Sequence, residues 1–564
     1  MNFPNHPKIK PVPIQKYSSG KNLNRAHHKK YSTYSSQESK ISSEDFLLSK
    51  QSTNILTSQH QLSTLHYEFN PENPLKSFPT SITYFFSKIK TLSSLKTLTF
   101  QLHIPKRLNM EPSLQALMIS LASLKNLTHL NIHIFFRPMK DTKLLKTLFK
   151  YLIRISSLTN LSLSFSKCDH LSTPHLDLIS SYLTKLLQLR SLNLSFCSLF
   201  KHYNYLIRQL NLTLPNLPLL SKFTLRINGI TVGLKISEVS ALFSCFKALK
   251  GLSDLALDLQ KRYLTHDANM TEPTSDPVSE GLALLDHSKI RRLSLQLYKN
   301  FNENFLAQLT HTLKNFTSLH TLHLDFSVYP DFNEENGAAF SLMLSSLVGL
   351  SSLRIILPSR PFDGGILKYL TPSLKSLKNL INFQLKFVGS VCKIDNDEIK
   401  QFFSEIRCLK SLRFLDLDSC HEGINDENLE TLGESLKELT LLRGLSLGME
   451  FAYFMTNQGI EALACGIKTL VNLSGLTLSV GSNNIFDNKT VDIITNMLHN
   501  LHRLYSVDFS FVACPKMTNF EGLFRELKRE NIGEIAINIS RQAKIPKEST
   551  SLMNSKIVKR MYAI

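Results

Sequence analysis

Apolar residues recur along most of this chain in one arrangement: Leu, two residues, Leu, two residues, Leu, one residue, Leu, one residue, apolar. Clear copies are LKNLTHLNIHI from Leu124, ISSLTNLSLSF from Ile155, LLQLRSLNLSF from Leu186 and LVGLSSLRIIL from Leu347, with IKTLVNLSGLTLSV from Ile467. The third apolar position serves as an anchor. It falls at Leu65, Leu98, Leu130, Leu161, Leu192, Phe223, Leu255, Leu293, Leu322, Leu353, Phe383, Leu415, Leu445, Leu476, Val507 and Ile535. The mean step is about 31 residues, in the range that marks solenoids. One step strays far, from Leu255 to Leu293, and its excess is the polar stretch HDANMTEPTSDPVSE, read as a loop.

Each unit has two halves. The L-x-L-x-apolar segment alternates with period two, which predicts a short strand with one buried face. The remainder predicts a helix: in DEIKQFFSEIRCLKSL from Asp397 and NQGIEALACGIKTL from Asn457, apolar residues return every three or four positions. An Asp or Asn able to cap opens each. A single unit cannot cover its own apolar face. Stacked units bury one continuous core, with a parallel sheet inside and helices outside. Because helices are wider than the strand spacing of about 4.8 Å, the stack curves with the sheet on its concave side. The predicted fold is an α/β horseshoe of sixteen strand-helix repeats over 51–545, flanked by basic tails at 1–50 and 546–564.

LRSLNLSFCSL from Leu189 follows the consensus L-x-x-L-x-L-x-x-[NC]-x-L, and LRFLDLDSC from Leu412 and LSKFTLRIN from Leu220 follow it as far as the Cys or Asn. The chain therefore resembles the leucine-rich-repeat family over roughly residues 60–540. Repeat length and helices resemble its ribonuclease-inhibitor-like branch. The resemblance implies protein binding on the concave sheet. At the Asn/Cys position only Cys197, Asn228 and Cys420 agree; elsewhere stand residues such as His103, Phe135, Tyr298, Pro358, Val388 and Glu450. Irregular turns after the strands are the expectation.

Charge changes the picture. The chain has 65 Lys and Arg against 45 Asp and Glu, a net of +20, of which residues 1–45 and 541–564 carry +5 each. These tails read as unstructured, suited to weak contact with polyanions such as RNA, anionic membrane or acidic protein. Counted over all sixteen strands, the outward positions hold five Lys/Arg (Lys222, Arg226, Arg292, Arg354, Lys386) against eight acids, including Glu68 and Glu534. A basic chain thus presents a mildly acidic concave face, without the cationic stripe a nucleic-acid reader needs. The eight cysteines form no CxxC pair, the N-terminus has no signal-peptide pattern, and no apolar run is long enough to span a membrane, so an intracellular, cytoplasmic protein is expected.

The candidate partner-binding residues lie towards the middle and C-terminal strands: His323, Asp325, Arg354, Lys386, Phe414, Asp416, Asp418, Tyr505 and Asp508. Asp325, Asp416, Asp418 and Asp508 would form a docking strip for a basic segment, and equally fit solvated strand positions. Phe414 and Tyr505 would be aromatic anchors, and equally fit partial burial. His323 is about six repeats from His129 and His133, and no Cys or carboxylate completes a metal-binding set; no cofactor motif is present. GLSLG at Gly444–Gly448 matches G-x-S-x-G, but Ser446 falls inside a strand rather than on a nucleophile elbow. The reading is a non-enzymatic interaction scaffold. GTPase-activating proteins for Ran resemble it in their helical repeats, with Arg360 as the counterpart of their loop arginine. Substrate-recognition subunits of ubiquitin ligases also carry such repeats, but 41–60 makes a poor F-box-like segment.

Overall fold

The structure, a computed structural model, describes most of residues 63–539, together with 39–41 and 557–563. Outside the description lie segments mainly between strand and helix, among them 70–88, 104–110, 136–141, 266–275, 297–304, 328–332, 359–365, 389–393 and 419–422. Arg360, Cys420 and most of both tails therefore lie outside the described residues.

Sixteen strands carry the sixteen anchors. In chain order they are β1 Thr64–Phe69, β2 Thr97–His103, β3 His129–Phe135, β4 Asn160–Ser166, β5 Ser191–Cys197, β6 Lys222–Ile230, β7 Asp254–Lys261 and β8 Arg292–Gln296. They continue as β9 Thr321–Asp325, β10 Ser352–Pro358, β11 Asn382–Val388, β12 Phe414–Asp418, β13 Gly444–Gly448, β14 Gly475–Ser479, β15 Ser506–Phe511 and β16 Glu534–Ile539. Each pairs in parallel with the next, and every pairing sets anchor against anchor: Leu65 faces Leu98, Leu255 faces Leu293, Leu415 faces Leu445 and Val507 faces Ile535. No anchor is more than 2% exposed. Alternation delivers the burial. In β4, Leu161, Leu163 and Phe165 are buried while Asn160, Ser162, Ser164 and Ser166 are not. The buried side chains form one cluster from Leu65 to Ile539, because each unit covers the apolar flank of the one before it.

Helices follow the strands, packed against one another in sequence order. Their starts are chemically marked. Asp395 accepts from Asp397 N at 2.9 Å, Asn333 from Asn336 N at 2.8 Å, and Asn425 exchanges a reciprocal pair with Asn428. The helices end sooner than the pattern predicts: Asn396–Ile406 stops before CLKSL, whose leucines instead line the turn into β12. The long polar insertion also proves shorter than predicted. Its last residues begin a helix, Pro277–Ala283, capped by Asp276 through Ser279 N at 2.6 Å, with Pro at the first position where no amide is needed.

The turn that brings each helix into its strand is regular. The carbonyl two residues before an anchor accepts two amides from the next unit. Lys96 O takes Thr128 N and His129 N at 3.0 Å, and the same fork recurs down to Tyr505 O, which takes Gly533 N and Glu534 N. A recurring Asn four residues before the anchor adds a rung. Asn126 donates to Ser93 O (2.8 Å), Asn379 to Val348 O (3.1 Å), Asn472 to Thr440 O (3.0 Å) and Asn531 to His502 O (2.9 Å). The asparagine expected after the strand thus has working counterparts before it.

Both tails, read as unstructured, supply a strand to the sheet. Ser39–Ile41 pairs parallel with β1, and Ile557–Ala563 with β16, giving this sheet eighteen strands among the described residues. IVKRMYA combines β-branched and aromatic residues suited to a strand, a signal too short to register as periodicity.

Glycine permits one unusually close approach. A Cβ on Gly433 would lie 2.6 Å from Ala462 O, and one on Gly466 would overlap the Gly433 backbone, so the helices Asp426–Lys437 and Asn457–Ile467 meet main chain to main chain.

Candidate functional site

In each strand the anchor points into the core, leaving the residues one before, one after and three after it on the open face of the sheet. Registered pairing turns these positions into three rows. The middle row runs His323, Arg354, Gln384, Asp416, Ser446, Thr477, Asp508 across β9–β15. The row nearer the strand ends runs Asp325, Ile356, Lys386, Asp418, Gly448, Ser479. The row nearer the turns includes Phe414, Gly444, Gly475 and Ser506. His323, Asp325, Arg354, Lys386, Asp416 and Asp418 are therefore brought together on four adjacent strands. Asp508 stands three strands beyond Asp416, outside that group, and Tyr505 sits in the turn before β15.

The acids in this group are engaged from within the sheet. Asp416 accepts from Gln384 Nε2 at 2.5 Å and from Ser446. Asp418 forms an ion pair with Lys386. Asp325, expected to be solvated, is only 4% exposed and accepts from Ser327 N at 2.9 Å. Arg354 lies between Asp325 and Asp416, whose charges oppose the lowering of its pKa that burial imposes. Burial likewise raises the Asp416 carboxyl; Ser446 works against that rise, and neighbouring Asp418 adds to it. His323 shares a hydrogen bond with Ser294 at 3.0 Å. Further back, Asp254 is held between Lys222 (3.2 Å) and Arg292 (3.8 Å). Asp258 is pushed up to about 7, mainly by burial, with Arg226 opposing and Asp325 reinforcing. Within the predicted acidic strip, Asp416 and Asp418 are therefore engaged across strands, by Gln384 and Ser446 and by Lys386, while Asp325 is held by a backbone amide of its own repeat and by the charge of Arg354.

The aromatic candidates are open. Phe414 is 37% exposed and Tyr505 42%. Each ring lies over a glycine of the next unit: a Cβ on Gly444 would come within 2.6 Å of Phe414 Cδ1, and one on Gly533 would strike the Tyr505 ring. Gly448 gives the Asp418 carboxylate similar room. Beyond Gly444, a Cβ on Gly475 would meet nothing within 4 Å, so the floor beside Phe414 is bare backbone. Sequence reasoning missed Gln384 and these glycines. The available signal was glycine at the same outward position in two consecutive repeats.

Ser446 lies mid-strand and hydrogen-bonds to Asp416, not on a strand-to-helix turn. His129 and His133 are on β3, six strands from His323. No described helix is long and apolar enough to cross a membrane.

No family model matches the sequence, and no curated protein matches it. Among solved structures, a chain of the "Crystal structure of TLR13-ssRNA13 complex" is similar at 16% identity. The match covers 90% of this chain and 75% of that one, with a TM-score of 0.34. Such a likeness says nothing of ligand or partner. The fold rests on the registered anchors, the strand-helix alternation and the single core. By those observations the chain is a leucine-rich-repeat solenoid.

Proposed function

We propose that this chain is a non-enzymatic scaffold of the ribonuclease-inhibitor-like kind, which receives a protein partner on the open sheet face across β9–β15. The observation that carries this reading is Phe414, an exposed ring beside the side-chain-free floor of Gly475 and next to a polar lattice in which Gln384 and Lys386 already engage Asp416 and Asp418. An aromatic anchor next to a desolvatable floor is the usual centre of a protein interface. Because Asp416 and Asp418 are already engaged, contact led by the ring fits better than capture of a basic segment. The test is a photo-crosslinking residue at Phe414, compared with one at Leu342 on the helical side, itself 73% exposed. A discrete cross-linked partner at Phe414 alone is the expected result, lost on competition with unlabelled chain. Equal labelling at both positions, or none at Phe414, refutes it.

A further inference from the structure

Residues 46–540 carry half of the net charge, +10, yet the open face of the sheet is acidic. The excess has one address. Three positions in each helix-to-strand turn, five, four and two residues before the anchor, hold eleven Lys or Arg over the sixteen units against one acid, Glu530. Eleven less one equals the whole surplus of residues 46–540. All eleven cations are exposed. Lys289 pairs with Asp286 (2.9 Å), Lys410 with Glu438 (2.6 Å), and Arg503 donates to Asn472 (2.8 Å). The others, among them Lys96, Arg190, Arg291, Arg413 and Arg443, form no ion pair among the described residues.

The same turn positions hold Leu187, Leu219, Val348, Leu441 and Val471, which are 44–60% exposed. Exposed cations, most without an ion-pair partner among the described residues, and protruding aliphatic side chains are thus interspersed along one edge of the sheet. The forked backbone ladder holds that edge in register from Lys96 to Gly533. Fifteen strand steps give it a length on the order of 70 Å along the stack.

We propose that this turn edge is a docking surface for an anionic lipid bilayer, on which the solenoid stands with its sheet face free. Lys and Arg would meet acidic headgroups, and the aliphatic side chains would enter the interfacial layer. Many weak contacts on one rigid edge act together. A single-stranded nucleic acid would favour aromatic platforms between its phosphate contacts, whereas this edge mainly offers leucine and valine. The apolar members favour lipid.

Flotation of the full-length chain tests this, using phosphatidylcholine vesicles with and without about 30% phosphatidylserine. The expected result is binding to the anionic vesicles alone, released by about 0.5 M salt. A variant with Arg190, Arg291, Arg413 and Arg443 changed to Glu should bind more than tenfold more weakly. A second, with Leu187, Leu219, Leu441 and Val471 changed to Ser, should lose affinity severalfold yet stay salt-sensitive. All these positions are exposed, so both variants should keep the wild-type circular dichroism. The proposal is overturned if the wild type ignores anionic vesicles, or if the glutamate variant floats as well as the wild type, which would place the affinity in the tails. It is equally overturned if polyuridylate outcompetes the vesicles at matched charge, which would assign the edge to nucleic acid.

Discussion

Two glycine-to-alanine substitutions nine residues apart should shift stability in opposite directions. Gly466 lies in the helix Asn457–Ile467, where alanine raises intrinsic helix propensity by about 1 kcal/mol. Its added methyl would overlap the Gly433 backbone of the neighbouring helix, and main chain cannot swing aside. The reciprocal contact, a Gly433 Cβ at 2.6 Å from Ala462 O, falls some tenths of an ångström short of ordinary contact, which begins near 3.4 Å. The two helices must therefore part by about 1 Å. A gap of that size forfeits roughly a quarter to a half of each contact along the seam. Overpacking of this kind costs about 1–3 kcal/mol, and the clash with rigid backbone puts it at the upper end. After the propensity gain, Gly466→Ala should be about 1–2 kcal/mol less stable than the wild type. Gly475→Ala meets nothing within 4 Å and removes backbone freedom from the unfolded chain, so it should be neutral or stabilising by up to about 1 kcal/mol. Urea denaturation followed by circular dichroism, with the m-value compared, measures both. A Gly466→Ala chain as stable as the wild type would show that the helix seam is not close-packed.

Three further outcomes follow. The Asp258 carboxyl, raised from 3.8 to about 7 by burial, keeps its proton in the folded chain where the unfolded chain has lost it. Its contribution to stability is therefore full below about pH 4 and declines as pH rises to about 7. Asp258→Asn should flatten that part of a Tm-against-pH curve, and an unchanged slope rejects the assignment. Arg354→Met leaves Asp325 and Asp416 without their shared cation and should cost about 3 kcal/mol in urea denaturation; a loss below about 1 rejects that role. Removing 557–563 takes away the strand that pairs with β16, so the amides of Glu534–Ile539 should lose hydrogen-exchange protection while those of β4 keep theirs; unchanged protection of β16 rejects the pairing.

The array was legible from sequence because its signal is local and repeated. All sixteen anchors read from the leucine pattern pair in register, since a one-residue slip would turn every buried side chain outward. What the pattern could not show depends on neighbours about thirty residues away. Asp325 reads as an outward strand position, yet its burial follows from the packing around it and its interaction with Arg354 on the next repeat. The Gly433–Gly466 contact joins residues that look unremarkable in their own helices. The Asp276 cap was hidden because a polar, proline-bearing stretch reads as loop even where Asp-Pro opens a helix. The tail strands borrow their partners from the finished sheet, and a short segment announces no partner in advance.

The charge lattice also says which parts of this solenoid are interchangeable. Serine and asparagine on β4 and β5 bind their neighbours only through neutral contacts such as Asn193 Nδ2 to Ser162 Oγ at 3.1 Å, so units there could be duplicated or deleted without stranding a charge on the sheet. Between β6 and β12, each ionised group depends on a particular neighbour, and inserting a foreign repeat would strand Asp254, Arg354 or Asp418 against the wrong chemistry. That stretch behaves as a single indivisible block within a fold otherwise built for modular growth.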